Sequence, residues 1–143
     1  MFLGEYKHSL DGKGRLSIPV KFRGELGASA IVTKGLEGCL FLYPKSQFEE
    51  MATKLAGLPV SSANARAFNR LMLSGAMEVE IDKLGRALIP SYLREYADID
   101  GEVVVNGVYN RIEIWDRKAW TGYSRSAEKK STEIAETLTQ WEV

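Results

Sequence analysis

The sequence has only one cysteine and one histidine in 143 residues, and each shortage excludes a class of site. Cys39 has no partner for an intrachain disulfide, and a cysteine-rich zinc site is excluded for the same reason. A histidine-based metal site or a Ser-His-Asp triad would have only His8 to draw on. We therefore expect no metal and no cofactor.

Long apolar runs are missing as well. No stretch approaches the ~18 consecutive apolar residues that indicate a membrane-spanning helix, so we expect no membrane segment. The first residues, MFLGEYKHSLDG, also lack the basic and then apolar pattern of a secretory signal. Together with the single cysteine, these absences favour a cytoplasmic protein in a reducing environment.

A net charge is missing too, since 19 basic side chains balance 19 acidic ones. The balance conceals an asymmetry between the two halves of the chain. Residues 1–71 carry 10 lysines and arginines against 6 carboxylates, whereas residues 72–143 carry 9 against 13. Such a split is typical of a chain with a polyanion-binding face, and random scatter of surface charge is the alternative explanation.

What the sequence does contain is a repeat. Residues 11–23, DGKGRLSIPVKFR, recur at residues 82–94 as DKLGRALIPSYLR. An offset of 71 residues aligns positions 10–23 with 81–94 without gaps, and an offset of 72 then aligns the glycine turns and apolar runs that follow. The chain is therefore predicted to consist of two similar halves, residues 1–71 and 72–143.

Each half has the same predicted plan of short strands followed by helices. A strand (residues 6–10 and 77–81), a glycine-bearing turn and a second strand lead to a proline that begins a short helix, at Pro19 and Pro90. Two β-rich runs and then helices complete each half. Four short strands alone would expose sheet edges and half a core. We therefore predict an α+β fold in which the halves close on each other around a pseudo-twofold axis.

The repeated segment fits neither of two chemical motifs that it partly resembles. A phosphate-binding loop needs the spacing GxxxxGK[ST] between a strand and a helix, and GKGRLS has neither the spacing nor the helix. A carboxylate pair like that of aspartic proteases would use Asp11 and Asp82, but no hydroxyl residue follows either aspartate to orient it. We expect no enzyme activity and no small-molecule substrate.

Turn chemistry accounts for much of the repeated pattern. The side chain of Asp11 or Asp82 can accept amide hydrogens from the turn that it begins, and Gly14 or Gly85 can supply a positive φ. The arginine four residues after each aspartate can reach back to its carboxylate. Turn chemistry alone explains less well why both copies have an arginine, such as Arg15, at a position that strand alternation directs outward.

The paired segments DGKGR and DKLGR closely resemble those of the MraZ family. The opening MFLGEYKHSLDGKGRLSIPVKFR and the later stretches LIPSYLREYA and GVYNRIEIWD are similar to that family as well, so the resemblance covers the whole chain. It implies two tandem SpoVT-AbrB-like halves that form one swapped-hairpin barrel with flanking helices. It also implies a DNA-binding transcriptional regulator of the bacterial division and cell-wall gene cluster that contains its own gene, associated with the nucleoid and assembled as a homo-oligomeric ring.

Charge around the two turns suggests that they differ in role. Residues 7–23 hold five lysines and arginines against Asp11 alone, whereas residues 78–94 hold three against three carboxylates. We therefore expect the first turn to face double-stranded DNA and the second mostly not to. The expected DNA-binding residues are Lys7, Lys13, Arg15, Lys21 and Arg23, with Arg86 as a secondary one and with Asp11, Gly14, Asp82 and Gly85 shaping the turns.

The alternative function is an antitoxin-like or scaffold module on the same fold, whose loops grip a protein partner. Fold alone does not separate the two functions, because one architecture hosts many roles. The cationic excess around the first turn favours DNA. In either case we expect Trp115 in the core, by its strand pattern, and Trp141 at a subunit interface, by its place in a terminal helix.

Overall fold

The computed structural model describes residues 1–142 and is α+β, as the sequence predicts. Within these residues the strands are β1 (Phe2–Ser9), β2 (Arg15–Ser17), β3 (Ser29–Lys34), β4 (Leu40–Pro44), β5 (Met77–Glu80), β6 (Arg86–Leu88), β7 (Glu102–Tyr109) and β8 (Ile112–Asp116). The helices are α1 (Val20–Leu26), α2 (Lys45–Ala56), α3 (Ala63–Asn69), α4 (Ser91–Tyr96), α5 (Arg117–Lys129) and α6 (Ser131–Thr137). A π-helical turn (Arg70–Ser74) follows α3, and a 3₁₀ turn (Thr139–Trp141) follows α6.

Prolines mark the starts of three helices, and the starts at Pro19 and Pro90 were predicted. Pro19, Pro44 and Pro90 stand directly before the first residues of α1, α2 and α4, with φ values of −50°, −58° and −55°. A proline fits there because the first turn of a helix leaves its N–H groups without intrahelical partners and proline has no N–H to leave unsatisfied. Each short strand of the repeat therefore passes directly into a helix at a defined residue.

The strands form a six-stranded sheet and a separate two-stranded ribbon. The order in the sheet is β1-β7-β8-β4-β3-β5, and β2 pairs with β6 in the ribbon. Most pairs join one predicted half to the other: β1 is antiparallel to β7 over its whole length, β4 to β8, and β3 to β5. Among the named strands of the described residues, only β3–β4 and β7–β8 pair within one half. The two halves are thus interleaved.

Two apolar clusters lie on opposite faces of the sheet. Alternation along β4 and β8 divides their side chains between the clusters, so that Leu42 and Ile114 belong to one and Phe41 and Trp115 to the other. The larger cluster packs the sheet against the ribbon, α1 and α4, and the smaller one is covered by α2, α3, the π-helical turn and α5. Trp115 is 3% exposed, which confirms its predicted place in the core.

The strand pairing does not show the closed barrel that the resemblance implies. Within residues 1–142 the six-stranded sheet has β1 and β5 at its edges, and the ribbon is a separate sheet. Single bridges connect the ribbon to these edges, from Leu10 to Leu16 and from Ile81 to Ala87. The architecture shown is therefore an α+β fold with antiparallel strands and a ribbon packed on one face of the six-stranded sheet.

Candidate nucleic-acid interface

The first repeated turn is built around the carboxylate of Asp11. Its Oδ1 accepts hydrogen bonds from the backbone N–H groups of Lys13 and Arg15, each at 2.9 Å, and its Oδ2 accepts one from Nε of Arg15 at 2.7 Å. Gly14 has the left-handed conformation that closes the turn, with φ +85°. The structure confirms the turn chemistry that the sequence predicts.

These hydrogen bonds stabilise the charged form of Asp11. The N–H of Arg15 is the largest cause, burial opposes it, and the guanidinium of Arg15 and the N–H of Lys13 add to it, so that the pKa of Asp11 falls to about 2. The ionised carboxylate holds Arg15 through Nε. Among residues 1–142, no hydrogen-bond acceptor is recorded for the two Nη groups of Arg15, so these donors are available to a ligand.

The second turn repeats this geometry. Oδ1 of Asp82 accepts the N–H groups of Leu84 at 2.9 Å and Arg86 at 2.8 Å, and Oδ2 accepts Nε of Arg86 at 2.9 Å. Gly85 has φ +77°. The pKa of Asp82 is lowered, with the N–H of Arg86 as the largest cause. Both turns therefore present an arginine that is fixed at Nε.

The ribbon brings the two arginines onto one surface. β2 and β6 pair so that Arg15 lies opposite Leu88 and Ser17 lies opposite Arg86. The residues between them in each strand are fully buried, so these four side chains occupy the outer face, which we call the ribbon face. Arg15 and Arg86 are diagonal neighbours there, a relation that places Cα atoms about 7–8 Å apart in antiparallel pairs.

The two ends of the ribbon face differ in character. Ser17 borders a polar pocket of about 420 Å³, which is lined by Lys7, His8, Ser9, Ser17, Glu102, Val103 and Arg117. Leu88 borders an apolar pocket of about 480 Å³, which is lined by Arg15, Met77, Glu78, Val79, Glu80, Asp82, Arg86, Leu88 and Pro90. Because the strands are exchanged, Arg86 lies opposite Ser17 of the first half and Arg15 lies opposite Leu88 of the second. Charge summed along a sequence window therefore does not describe the surroundings of either arginine.

The other expected DNA-binding residues have different positions. Lys7, Lys13 and Lys21 are exposed, on β1, in the first turn and on α1. Lys7 lines the polar pocket beside Ser17. Arg23 is half-buried and donates from Nε to the carbonyl oxygen of Ile18 at 2.8 Å. The DNA-binding role of each of these residues stays a prediction.

Two further arginines were not among the expected DNA-binding residues. Arg117 begins α5, lines the polar pocket and pairs with Glu102 at 2.7 Å, and nothing in the sequence pattern marks it. Arg94 packs against the first turn, and the repeat could have revealed it because it aligns with Arg23. His8 in the polar pocket adds little charge at neutral pH, because burial and the charge of Arg23 lower its pKa.

Residues 1–142 contain no cluster of three or more histidine, cysteine or acidic side chains arranged to hold a metal ion. In the same residues, no helix combines the length and the apolar character required to cross a bilayer.

The sequence is similar to those of known proteins. The sequence matches, over residues 1–71 and again over 72–141, the family described as "MraZ protein, putative antitoxin-like". It is 54% identical over 135 residues to a protein of Halothermothrix orenii named Transcriptional regulator MraZ, with 94% of each chain covered. It is 50% identical over 143 residues to a protein of the same name from Moorella thermoacetica, with both chains covered completely.

The chain belongs to the MraZ family. The resemblance of DGKGR and DKLGR to MraZ segments is thereby confirmed, and each of the two MraZ matches contains one of these turns. The curated MraZ relatives are named as transcriptional regulators, so the family is one of regulators rather than of enzymes.

Proposed function

We propose that the protein is a sequence-specific DNA-binding transcriptional regulator and that the ribbon face contacts DNA. The observation that carries this proposal is the pair of identically built turns, which hold Arg15 and Arg86 side by side on an exposed two-stranded ribbon. The major groove of B-DNA, about 12 Å wide, admits such a ribbon. A guanidinium fixed at Nε can offer its other nitrogens to a guanine edge or to a phosphate.

Exposed lysines of the first half supply the contacts that do not depend on sequence. Lys7, Lys13 and Lys21 are exposed, and no ion pair involving them is recorded within residues 1–142. Each phosphate that such a cation neutralises steepens the dependence of log affinity on log salt by about 0.9. These contacts position the protein on the duplex, and the two turns supply the base contacts.

The proposed target is the DNA upstream of the protein's own operon, the bacterial division and cell-wall gene cluster. The resemblance to the MraZ family implies this target, and the name of the relatives supports a role in the regulation of transcription. The protein would act in the cytoplasm, associated with the nucleoid. Its contacts are with double-stranded DNA and with other copies of itself.

Assembly into a ring completes the proposal. The two halves are similar but not identical, so one half can contact the other half of a neighbouring copy, and such head-to-tail contacts close into rings when the rotation allows. A ring would present several ribbon faces to successive DNA repeats and gain affinity through avidity. The exposed apolar side chains of Ile134 in α6, Leu138 directly after α6 and Trp141 in the following 3₁₀ turn support a contact there.

The ribbon also supports the proposed barrel. The bridges Leu10–Leu16 and Ile81–Ala87 join it to β1 and β5, which are the edges of the six-stranded sheet. Closure through these bridges would give the swapped-hairpin barrel that the family resemblance implies and would leave neither edge free to pair with another chain.

The second candidate function is an antitoxin-like protein-interaction module. The apolar pocket beside Leu88 favours it, because Leu88 is 54% and Met77 44% exposed, and adjacent apolar side chains at a surface suit a protein partner. Docking of protein on this pocket would depend weakly on salt, whereas binding of DNA to the ribbon face would depend on it steeply.

Binding of upstream operon DNA over a salt series tests the proposal. We expect Arg15→Ala to reduce the affinity at least about tenfold, near 1.4 kcal/mol, because it removes a base or phosphate contact. Arg86→Ala is measured beside it, because Arg86 lies on the same ribbon face as Arg15. A loss as large as that of Arg15→Ala would assign both turns equally to DNA.

Arg70→Ala is the matched control, because it removes the same charge from the helical layer and leaves the ribbon intact. It should leave the affinity within about twofold of wild type. An Arg15→Ala protein that assembles normally and binds operon DNA as tightly as wild type would contradict the proposal.

A further inference from the structure

Arg23 and Arg94 occupy equivalent places in the two halves, and each lies against the turn of the other half. A Cβ atom built on Gly14 would lie 2.7 Å from Cζ and 2.9 Å from Nε of Arg94. A Cβ atom built on Gly85 would collide in the same way with the guanidinium of Arg23. Each turn glycine is therefore covered directly by an arginine that the other half contributes.

Backbone hydrogen bonds cross at the same two places. The N–H of Ile89 donates to the carbonyl oxygen of Gly14 at 3.0 Å, and the N–H of Ile18 donates to that of Gly85 at 2.8 Å. Nε of Arg94 donates to the carbonyl oxygen of Ile89 at 3.0 Å. One peptide segment around Ile89 is thus bonded to the first turn through its N–H and to Arg94 through its carbonyl.

The guanidinium groups of Arg94 and Arg23 limit the conformations that the two turns can adopt. The turn at Gly14 carries Arg15, and its outer side faces solvent, while its inner side rests on Arg94 and Ile89. Without the guanidinium, the glycine would border open space and could sample other conformations, because its φ/ψ range is wide. A DNA-contacting side chain gains affinity when its geometry is set before binding.

We infer that Arg94 and Arg23 are positioning residues, Arg94 for Arg15 and Arg23 for Arg86, each holding the turn of the opposite half. The inference rests on the proposed function and goes beyond it. Arg23 would then stabilise a turn within the protein and would not contact a DNA phosphate. The conformation of the first turn would depend on Arg94, a residue of the second half.

Crossed double substitutions test this pairing on upstream operon DNA. Arg94→Ala should weaken binding about tenfold in the wild-type background, and roughly threefold or less when Arg15→Ala is already present, because residues in one network are not additive. With Arg86→Ala it should add its full effect. For Arg23→Ala we expect the reverse. Its loss of DNA affinity should be smaller when Arg86→Ala is already present, and it should add fully to the loss caused by Arg15→Ala.

A charge-conserving variant separates positioning from direct contact. Arg94→Lys keeps the positive charge but has neither the planar group nor the Nε donor, so we expect it to bind DNA as poorly as Arg94→Ala. Two outcomes would overturn the inference and show a phosphate contact instead. One is wild-type affinity of Arg94→Lys for DNA. The other is an Arg94→Ala effect that adds fully to both turn substitutions and lowers the salt slope of DNA binding by about 0.9.

Hydrogen exchange without DNA gives an independent measurement. Arg94→Ala should accelerate exchange of the amides in residues 11–15, and Arg23→Ala should accelerate exchange in residues 82–86, with the thermal transition still cooperative. Acceleration in the turn of the same half, or equal acceleration in both turns, would overturn the inference. If the wild-type protein fails to bind DNA at low salt, the proposed function fails, and the crossed exchange pattern still decides whether these arginines hold the turns.

Discussion

Each turn of the ribbon depends on one ionised carboxylate. Asp11 accepts two backbone N–H groups and one guanidinium nitrogen, and no other acceptor is recorded for these donors within residues 1–142. Asparagine would keep an acceptor oxygen for the backbone but would lose the negative charge that binds Arg15. The charge of Asp11 therefore fixes the direction of the arginine, and the oxygen atoms fix the turn.

The first prediction follows from the pKa of Asp11, which the hydrogen bonds of the turn lower to about 2. Since the folded protein binds this proton more weakly than the unfolded chain does, the carboxylate stabilises the fold above its ordinary pKa near 4, and this contribution disappears as the pH falls towards 2. We expect the Asp11 carboxyl carbon to titrate at about 2 by NMR. The Tm of the wild-type protein should decrease between pH 4 and pH 2, partly because Asp11 becomes protonated. Asp11→Asn should remove the part of this decrease that Asp11 causes. Titration of Asp11 near pH 4 would contradict the turn geometry.

Local patterns in the sequence predicted the elements better than their partners. The helices after Pro19 and Pro90 are where the sequence placed them, and the strand predicted at residues 77–81 is β5, Met77–Glu80. β1, however, was expected at residues 6–10 and begins at Phe2, because it pairs with β7 along its entire length. That pairing comes from the other half of the chain, and no local pattern contains it.

The candidate site shows the same limit. Aspartate, glycine and arginine at fixed spacing predicted each turn, because all the hydrogen bonds of a turn lie within five residues. The pairing of Arg15 with Leu88 and the contact of Arg94 with Gly14 required the exchange of strands between halves. A repeat alone predicts equivalent residues but not which copy they touch.

The second prediction concerns Leu88 on the ribbon face. Leu88→Lys places a cation opposite Arg15, so we expect tighter binding of unrelated duplex DNA and a salt slope steeper by up to about 0.9 if the new charge meets a phosphate. Leu58→Lys, in the loop between α2 and α3, is the matched control and should change neither quantity. Unchanged DNA binding together with impaired assembly would place protein, rather than DNA, on this part of the ribbon.

The whole molecule is stabilised by contacts between its halves, and the third prediction follows from them. Residues 1–71 alone would leave β1 without β7 and β2 without β6, and residues 72–143 alone would lose the same pairs. We expect each fragment to lack a cooperative thermal transition by circular dichroism, and we expect an equimolar mixture to regain one. A monomeric fragment that unfolds cooperatively would show that the halves fold independently.

The terminal helix provides the test of assembly, which is the fourth prediction. Every described residue from 128 to 142 is exposed, and three of them are large and apolar: Ile134 in α6, Leu138 directly after α6, and Trp141 in the 3₁₀ turn. We expect the wild-type protein to form a closed oligomer larger than a tetramer by light scattering. The double substitution Ile134→Lys and Leu138→Lys should reduce the mass of the oligomer at least about twofold without changing the circular dichroism spectrum. The reason is that burying a charged lysine in an apolar contact costs free energy.

Thr132→Lys is the control for this pair of substitutions, since it adds a lysine to the side of α6 opposite Ile134, where a turn of about 100° per residue places it. It should leave the oligomer intact. If both variants assemble like wild type, the contact lies elsewhere on the chain. A wild-type protein that remains a monomer or dimer at all concentrations would contradict the ring itself, and each ribbon face would then have to bind its DNA site without avidity.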